Sequence, residues 1–484
     1  MSTKNLTSPP PPYYNIPMNT NRRIIAVLIF ICFLFLSLIV YLTYFAVFRS
    51  AELVASPHNR RNWVSEESTM RGTIYDATGI VLARSTLDSE GNQIREYPHG
   101  SLYAHVIGYN SPLYGRSQLE ASFNDLLLGR TRLAGLMGLG GEAEVGFDLI
   151  LTIDHQVQQV ASRQLGRRTG AAVAIDPRSG AIIAMVSYPT FDPNEAALVR
   201  NWVSINEDAN SPLVPRATSG LYEPGSSFKI VTAAALLANG LGHQTINDQG
   251  HTTIAGQRFQ NFRGRAMGNI NLSDAFVRSS NVAFVEWGAE LGGAELQRTA
   301  ERFGFGRAIT TDLPVAASRF PRREMTASEI AAASIGQWEV QSTPLNMARV
   351  AGIIANGGRD IPLHVVDRAT NSAGAVVYDA RRVPGARIIS ARHASEIQQM
   401  MRRAVNDASG TGGNARLAGT TVAGKTGTAE TNIAGRTHAW FVGYAPADNP
   451  RVAVAVVFEN STGMGGDLAA PVAREIIRAA LAAL

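Results

Sequence analysis

The longest uninterrupted apolar stretch runs over residues 24–48: 25 residues without a charge, rich in Ile, Leu, Phe and Val, with Tyr41 and Tyr44 toward its far end. At about 1.5 Å per residue this spans a bilayer with some tilt. It is longer than the apolar core of a cleaved signal peptide, so it is expected to be an uncleaved anchor. Residues 1–23 hold four consecutive prolines, no acid, and Lys4, Arg22 and Arg23, the composition of a short disordered tail. Arg49, Arg60 and Arg61 follow the span closely, so positive charge does not fix its direction. The tail is placed inside because one anchor ahead of a large C-terminal body exports that body.

Beyond the anchor the pattern switches to short alternating runs. Residues 71–83 read as strand, Asp/Gly turn and strand. In residues 49–150 no cluster groups acids, bases or ligands into a site, so a structural pedestal is expected. The Gly-rich piece at 135–141 lacks the Gly-Lys-Ser/Thr ending and βαβ frame of a phosphate loop and reads as a turn or hinge. Residues 149–153 form a strand capped by Asp154 into a helix, with Val157, Val160, Ala161 and Leu165 on its inner face. Two apolar strands about the turn Asp176-Pro177-Arg178-Ser179-Gly180 then make a hairpin, where a central sheet is expected to begin.

Past Ser226 the pattern is helical for a long way. An Ala/Leu-rich run over 230–238 stops at Asn239-Gly240, Ser279-Ser280-Asn281 falls at a junction of two buried helices, and Thr343 opens another helix that ends at Asn356-Gly357-Gly358. Strand candidates return at 422–429, 439–445 and 452–458, and residues 470–484 read as a closing helix.

Composition narrows the function classes. With 484 residues, 45% of them hydrophobic, the chain buries a sizeable core and has room for about three domains. The net charge of +5 suits anionic surfaces such as lipid headgroups or wall polymers. No basic run is interleaved with aromatics, so nucleic acid is not expected as a partner. Cys32, the only cysteine, lies inside the apolar span, so no disulfide is expected in the exported part. The nine histidines are scattered without a His-Glu-x-x-His pattern, and neither metal nor cofactor is expected.

Candidate chemistry centres on Glu223-Pro224-Gly225-Ser226-Ser227-Phe228-Lys229. At a spacing of three, Ser226 and Lys229 share a helical face and Ser227 points elsewhere, which makes Ser226 the candidate nucleophile. A serine hydroxyl needs a base, and a lysine serves if desolvation or a neighbouring cation favours its neutral form. Of the 44 Lys and Arg residues only Lys4, Lys229 and Lys425 are lysines. Arginine does not give up its proton in a protein and lysine does, so the two lysines beyond the tail mark where chemistry is expected.

Ser226-x-x-Lys229, Ser279-x-Asn281 and Lys425-Thr426-Gly427 occur in that order. The ordered triple resembles the penicillin-recognising serine acyltransferases, specifically the class B penicillin-binding proteins, which are monofunctional peptidoglycan D,D-transpeptidases. The likeness extends to residues 71–83, 151–154, 188–194, Gly336-Gln337, 343–345 and 423–430. Three positions depart: Pro215 stands where Asn is expected before Arg216-Ala217, and Gln118 and Trp338 stand where Gly is usual.

The resemblance implies an α+β fold, an antiparallel sheet flanked by helices on one face and an all-helical half on the other, with the active site between them. It implies a tail at 1–23, an anchor at 24–48, a pedestal of dimerisation type at 49–150 and a transpeptidase domain at 151–484. In the implied mechanism Ser226 attacks the penultimate D-Ala carbonyl of a stem peptide and Lys229 takes its proton. Ser279 relays a proton to the leaving amine, and Lys425 stays cationic beside it as a supporting field. Asn281 holds the substrate amide, Thr426 and Thr428, flanking Gly427, bind the terminal carboxylate, and the Ser226 and Thr428 N–H groups form the oxyanion hole. Implied partners are peptidoglycan stem peptides, β-lactams and a multi-pass SEDS-type glycan polymerase in the membrane. A β-lactamase would need a deacylating Glu-x-x-x-Asn pair after the second motif, and residues 282–345 contain no Asn. A D,D-carboxypeptidase shares every motif, and only the anchor and pedestal speak for the transpeptidase. About 100 residues of pedestal are too few for a second, glycosyltransferase enzyme. Intact motifs argue against a silent β-lactam sensor or scaffold.

Overall fold

The computed structural model describes residues 18–45, 69–130, 145–380 and 385–484, in two compact units, Met1–Trp63 and Val64–Leu484. The first unit contains helix α1 (Met18–Tyr44), of which Asn21–Tyr44 is long and apolar enough to cross a membrane. It starts inside the stretch expected as tail, because Pro17 is the last helix breaker before the apolar run. The prolines of the tail, the last residues of the expected span and the Gly-rich piece at 135–141 lie outside the described residues.

The second unit is organised by two sheets. The first has six strands in the order β14-β13-β6-β1-β2-β3, comprising β1 (Ile74–Tyr75), β2 (Val81–Leu87), β3 (Gln93–Glu96), β6 (Asp148–Leu151), β13 (Val366–Thr370) and β14 (Val376–Asp379). The expected hairpin at 71–83 is β1 and β2, turned by Asp76, whose carboxylate accepts from the N–H groups of Thr78 and Ile80. The strand at 149–153 is β6 of this sheet, where it runs parallel to β1 and antiparallel to β13. Periodicity gives a strand its faces but not its partner. The sheet therefore draws strands from both sides of residue 150. Below it, Glu120 is fully buried between Arg71 and Arg95, at 2.6 and 2.7 Å. Burial works against its charge, yet the two guanidiniums outweigh burial and hold the carboxyl at about 2. Nearby, β4 (Asn110–Ser111) and β5 (Gly115–Arg116) form a small ribbon. Gln118 follows at φ 49°, the left-handed backbone that its departure from glycine leaves in place.

The second sheet is fully antiparallel in the order β15-β16-β17-β7-β8, from β7 (Gly170–Ile175), β8 (Ile182–Tyr188), β15 (Ala423–Glu430), β16 (Thr437–Ala445) and β17 (Val452–Ser461). It is covered on both faces, which is why its strands read as near-continuous apolar runs. Along β17, Val452, Val454, Val456 and Phe458 pack against α2 (His155–Leu165) and the C-terminal helix Gly465–Ala483. The alternate residues Ala453, Ala455 and Val457 face the helical half. Asp154 caps α2 by accepting from Val157 N, as expected. On that helix Val160 is only half-buried, and Gln158 is buried in its place. The Gln158 amide is satisfied by Leu102 O, Met185 O and Met185 N.

The helical half contains α3 (Lys229–Ala238), α4 (Leu272–Arg278), α5 (Asn281–Leu291) and α6 (Pro344–Ala355), the last opened by Thr343 as its cap. It is not all helix. Between α3 and α4 lie two ribbons, β9 (Thr245–Asp248) with β12 (Gly268–Asn271) and β10 (His251–Ile254) with β11 (Gln257–Gln260). These four-residue strands are mostly exposed and carry no apolar alternation long enough to read. The closing helix, α7 (Gly465–Ala483), starts before the expected residue 470 and runs through Pro471 in its second turn.

Candidate active site

The candidate nucleophile sits on a turn clamped from two sides. Gly225 has φ 52°, its N–H donates to Gly336 O at 2.9 Å, and a Cβ there would lie 2.8 Å from Thr428 O. Only glycine fits that conformation at that distance. Gly427 answers it from β15, where a Cβ would collide with Pro224 O. Trp440, opposite Gly427 on β16, donates its indole N–H to Glu223 O at 2.9 Å. The turn is thereby fixed to the edge strand β15.

Residues Gly225–Phe228 form a 3-10 turn leading into α3. With three residues per turn, Ser226 and Lys229 eclipse one another. Ser226 is partly exposed, whereas Ser227 is buried and spends its hydroxyl on Pro224 O at 2.7 Å. Lys229 has no exposed surface. Its Nζ donates to Asn281 Oδ1 at 2.8 Å and Ser279 O at 3.0 Å, with Ser279 Oγ at 3.5 Å. The hydrogen bonds of this amine thus run to the second motif rather than to Ser226. Such contacts are often loose before substrate binds.

Ser279 ends α4 in the left-handed region, at φ 60° and ψ 42°, and Asn281 begins α5. The third motif lies on β15, paired Lys425 to Val442 and Thr426 to Phe441. Lys425 is also fully buried, and its Nζ donates to Ser279 Oγ at 2.8 Å. Ser279 therefore lies between the two amines. Burial, then the field of Lys425, holds Lys229 well below its ordinary value, with Asp248 acting the other way. Burial alone brings Lys425 down to about 7. This differs from the expectation of a lysine that stays cationic, because among the described residues no carboxylate offsets its desolvation. Its field is strongest below neutrality.

The two threonines sit on the other side of the pleat from Lys425. Thr426 Oγ1 lies 2.6 Å from Thr411 Oγ1, and Thr428 Oγ1 accepts from Gly465 N at 3.2 Å. Thr411 escaped sequence reading, as did Asp248 and Asn261 behind the second motif, because single polar residues in loops carry no pattern. Pro215 supplies no side-chain cap to the short helix after it. Arg216 is instead tied to Glu459 at 2.9 Å, which also accepts from the Tyr222 hydroxyl. Trp338 takes φ 67°, the second left-handed position where glycine is usual. The cleft thus brings together a partly exposed serine, two buried amines of lowered basicity, a bridging hydroxyl and a sheet edge, a set able to transfer an acyl group through a serine ester.

Comparison with known proteins agrees with this geometry. Residues 170–478 match the family described as penicillin binding protein transpeptidase domain, and residues 71–136 the penicillin binding protein A dimerisation domain. The peptidoglycan D,D-transpeptidase PbpA of Mycolicibacterium smegmatis is 35% identical, covering 96% of this chain and 99% of its own. The ceftriaxone acyl-enzyme structure of penicillin-binding protein A from M. tuberculosis superposes with a TM-score of 0.80 at 32% identity, covering 86% of this chain and 100% of that one. The D,D-transpeptidase domain of a peptidoglycan glycosyltransferase from Eggerthella lenta gives 0.78 at 34% identity, covering 86% and 99%. The fold, the cleft and these similarities place the chain in the penicillin-binding transpeptidase family.

Proposed function

We propose that this cleft cross-links peptidoglycan stem peptides through an acyl-enzyme on Ser226, the step that β-lactams intercept. The observation that carries the reading is the placement of Ser226 at the cleft while Lys229 and Lys425 are buried on either side of Ser279. Ser226 Oγ bonds to the carbonyl carbon of the penultimate D-Ala as its proton passes to neutral Lys229. The peptide C–N bond then breaks, and Ser279, hydrogen-bonded to Lys425, relays a proton to the leaving D-Ala amine. An amine of a second stem peptide attacks the ester, the Ser226–carbonyl bond breaks, and the proton lost by that amine returns to Ser226. In this reading Asn281 holds the substrate amide and Thr426, Gly427 and Thr428 line the site for the terminal carboxylate. The N–H groups of Ser226 and Thr428 receive the oxyanion, each worth about 3–4 kcal/mol in other acyl enzymes.

The same proposal assigns residues 24–48 as a single-pass membrane anchor with the catalytic body outside the cytoplasm, 49–150 as pedestal and 151–484 as transpeptidase domain. A multi-pass SEDS-type polymerase is the expected partner through anchor and pedestal, since a glycan strand must be made before it is cross-linked. The test is covalent labelling by a fluorescent penicillin followed by peptide mass mapping. Ser226→Ala should abolish the label and Ser227→Ala should keep it. A label that survives Ser226→Ala refutes the assignment.

A further inference from the structure

Behind the second motif lies a buried polar assembly that the mechanism above does not use. Asp248, at the end of β9, has no exposed surface, and Asn261 and Ser280 have 1% and none. Asp248 Oδ1 accepts from Gly250 N at 2.7 Å and Asn261 Nδ2 at 2.8 Å, and Oδ2 accepts from Asn261 Nδ2 at 2.8 Å and Ser280 Oγ at 2.6 Å. Every partner is a donor, the pattern of an ionised carboxylate, and a carboxylate this buried is tolerable only when so satisfied.

Asn261 carries the assembly to the site. Its Oδ1 accepts from the N–H groups of Asn281 and Val282 at 2.8 and 3.1 Å, the first two of α5, which have no partner within their helix. Its Nδ2 also holds Arg265 O at 2.9 Å. Asn281 in turn donates from Nδ2 to Gln260 O at 3.0 Å and presents Oδ1 to Lys229. Ser280 Oγ, between Asp248 and Ala283 N, closes the cap of α5. Ser279 and Asn281 flank Ser280 in the chain. Ser279 holds a left-handed conformation, which persists where neighbours over-determine it, and these bonds fix the two residues that follow it.

We propose that Asp248 and Asn261 are positioning residues for the serine proton transfer: Asn261 fixes Ser279 and Asn281 against Lys229, and Asp248 supplies the negative charge that compensates the cation Lys229 becomes. The proposal rests on the reading of Ser226 and Lys229 as nucleophile and base. Taking the proton from Ser226 creates an ammonium in a site with no exposed surface, next to a second amine. The charged groups acting on Lys229 are Lys425, which opposes its protonation, and Asp248, which favours it. Removing the Asp248 charge makes Lys229 a weaker base, so less of the proton is transferred in the transition state.

The experiment measures second-order acylation by a fluorescent penicillin against pH, on the full chain in detergent micelles, normalised to folded protein. Asp248→Asn keeps the shape and removes the charge, so the acid limb of its profile should move to lower pH and its plateau should fall about tenfold or more. Ser280→Ala keeps the charge and cuts the tie to the second motif, so its plateau should fall with the limb unmoved. A purely structural brace would lower the melting temperature of both variants and leave the profile per folded molecule in place. An Asp248→Asn profile that superposes on that of the parent overturns the proposal. Should that variant fail to fold, a Ser280→Ala rate equal to that of the parent overturns it instead. If the parent takes no label on Ser226, the reading beneath has failed; if it does and the variants match it, only this inference has.

Discussion

Replacing each cleft lysine by arginine separates a base from a field. Lys229 is enclosed by Ser279 O, Ser279 Oγ and Asn281 Oδ1, with the Phe284 ring 5.3 Å from its Nζ. A guanidinium there keeps the charge and cannot release a proton, so the base is lost, a loss worth about 10²–10⁴ in rate. At about 1.4 kcal/mol per decade this is roughly 3–5.5 kcal/mol of barrier. The larger head also overpacks a closed site by about 1–3 kcal/mol, which would appear in the melting temperature rather than in the rate per folded molecule. Lys229→Met removes the amine without that bulk and should lose rate to the same extent as Lys229→Arg. Lys425 contributes one bond to Ser279 Oγ and a partial charge near neutrality, both of which arginine can partly supply. Lys425→Arg should therefore lose about tenfold, less than the roughly 10²–10⁴ that an acid–base group contributes, and Lys425→Ala considerably more. One fluorescent penicillin measures all four rates, with the folded fraction taken from thermal melts. If Lys229→Arg acylates as fast as Lys425→Arg, the base has been assigned to the wrong residue.

Three further outcomes are expected. Glu120→Gln leaves Arg71 and Arg95 buried around a neutral amide and should cost about 3–5 kcal/mol of stability. Because the folded carboxyl sits at about 2 against an ordinary 4.5, that contribution is complete above 4.5 and disappears as pH falls toward 2. Melts at stepped pH should show the parent and variant converging only in acid, and a gap that does not depend on pH would contradict this. Gln118→Gly relieves a left-handed backbone and removes a buried amide oxygen without a partner, so it should stabilise the fold by about 1 kcal/mol; a lower melting temperature speaks against strain there. Residues 49–484 without the apolar N-terminal helix should still acylate but should not support growth in place of the full chain, and full complementation would argue against a membrane complex.

The chemistry was more legible than the architecture. The motifs announce themselves because Ser226 and Lys229 are three residues apart and because lysine is so rare in this chain. The apolar runs of β7, β8, β16 and β17 were readable because both sheet faces are buried. The strand at 149–153 is readable from its apolar run, but its sheet partners are not, since β1 and β13 lie far from it in sequence. Ribbons β9 to β12 were missed because their exposed polar residues obey neither period. Gln158 shows the limit from the other side: it takes a core position that Val160 was expected to fill, because three hydrogen bonds make its burial tolerable.

The remaining question is why a hydroxyl reaction needs so much scaffold. The three motifs arrive from the start of α3, the junction of α4 and α5, and an edge strand more than 140 residues further on, and none positions the others through its own local structure. Backbone contacts do that work. Gly225 lies against Thr428, Gly336 against Gly225 and Gly427 against Pro224, each at a distance that a single methyl group would open. Trp440 pins Glu223 from the sheet side. These contacts join main chain to main chain, so they leave Ser226 little room to drift relative to β15. An error of about 1 Å at a reacting centre can cost about 10²-fold. In the proposed reaction the glycines of this site thus set the geometry of the serine even though they carry no functional group.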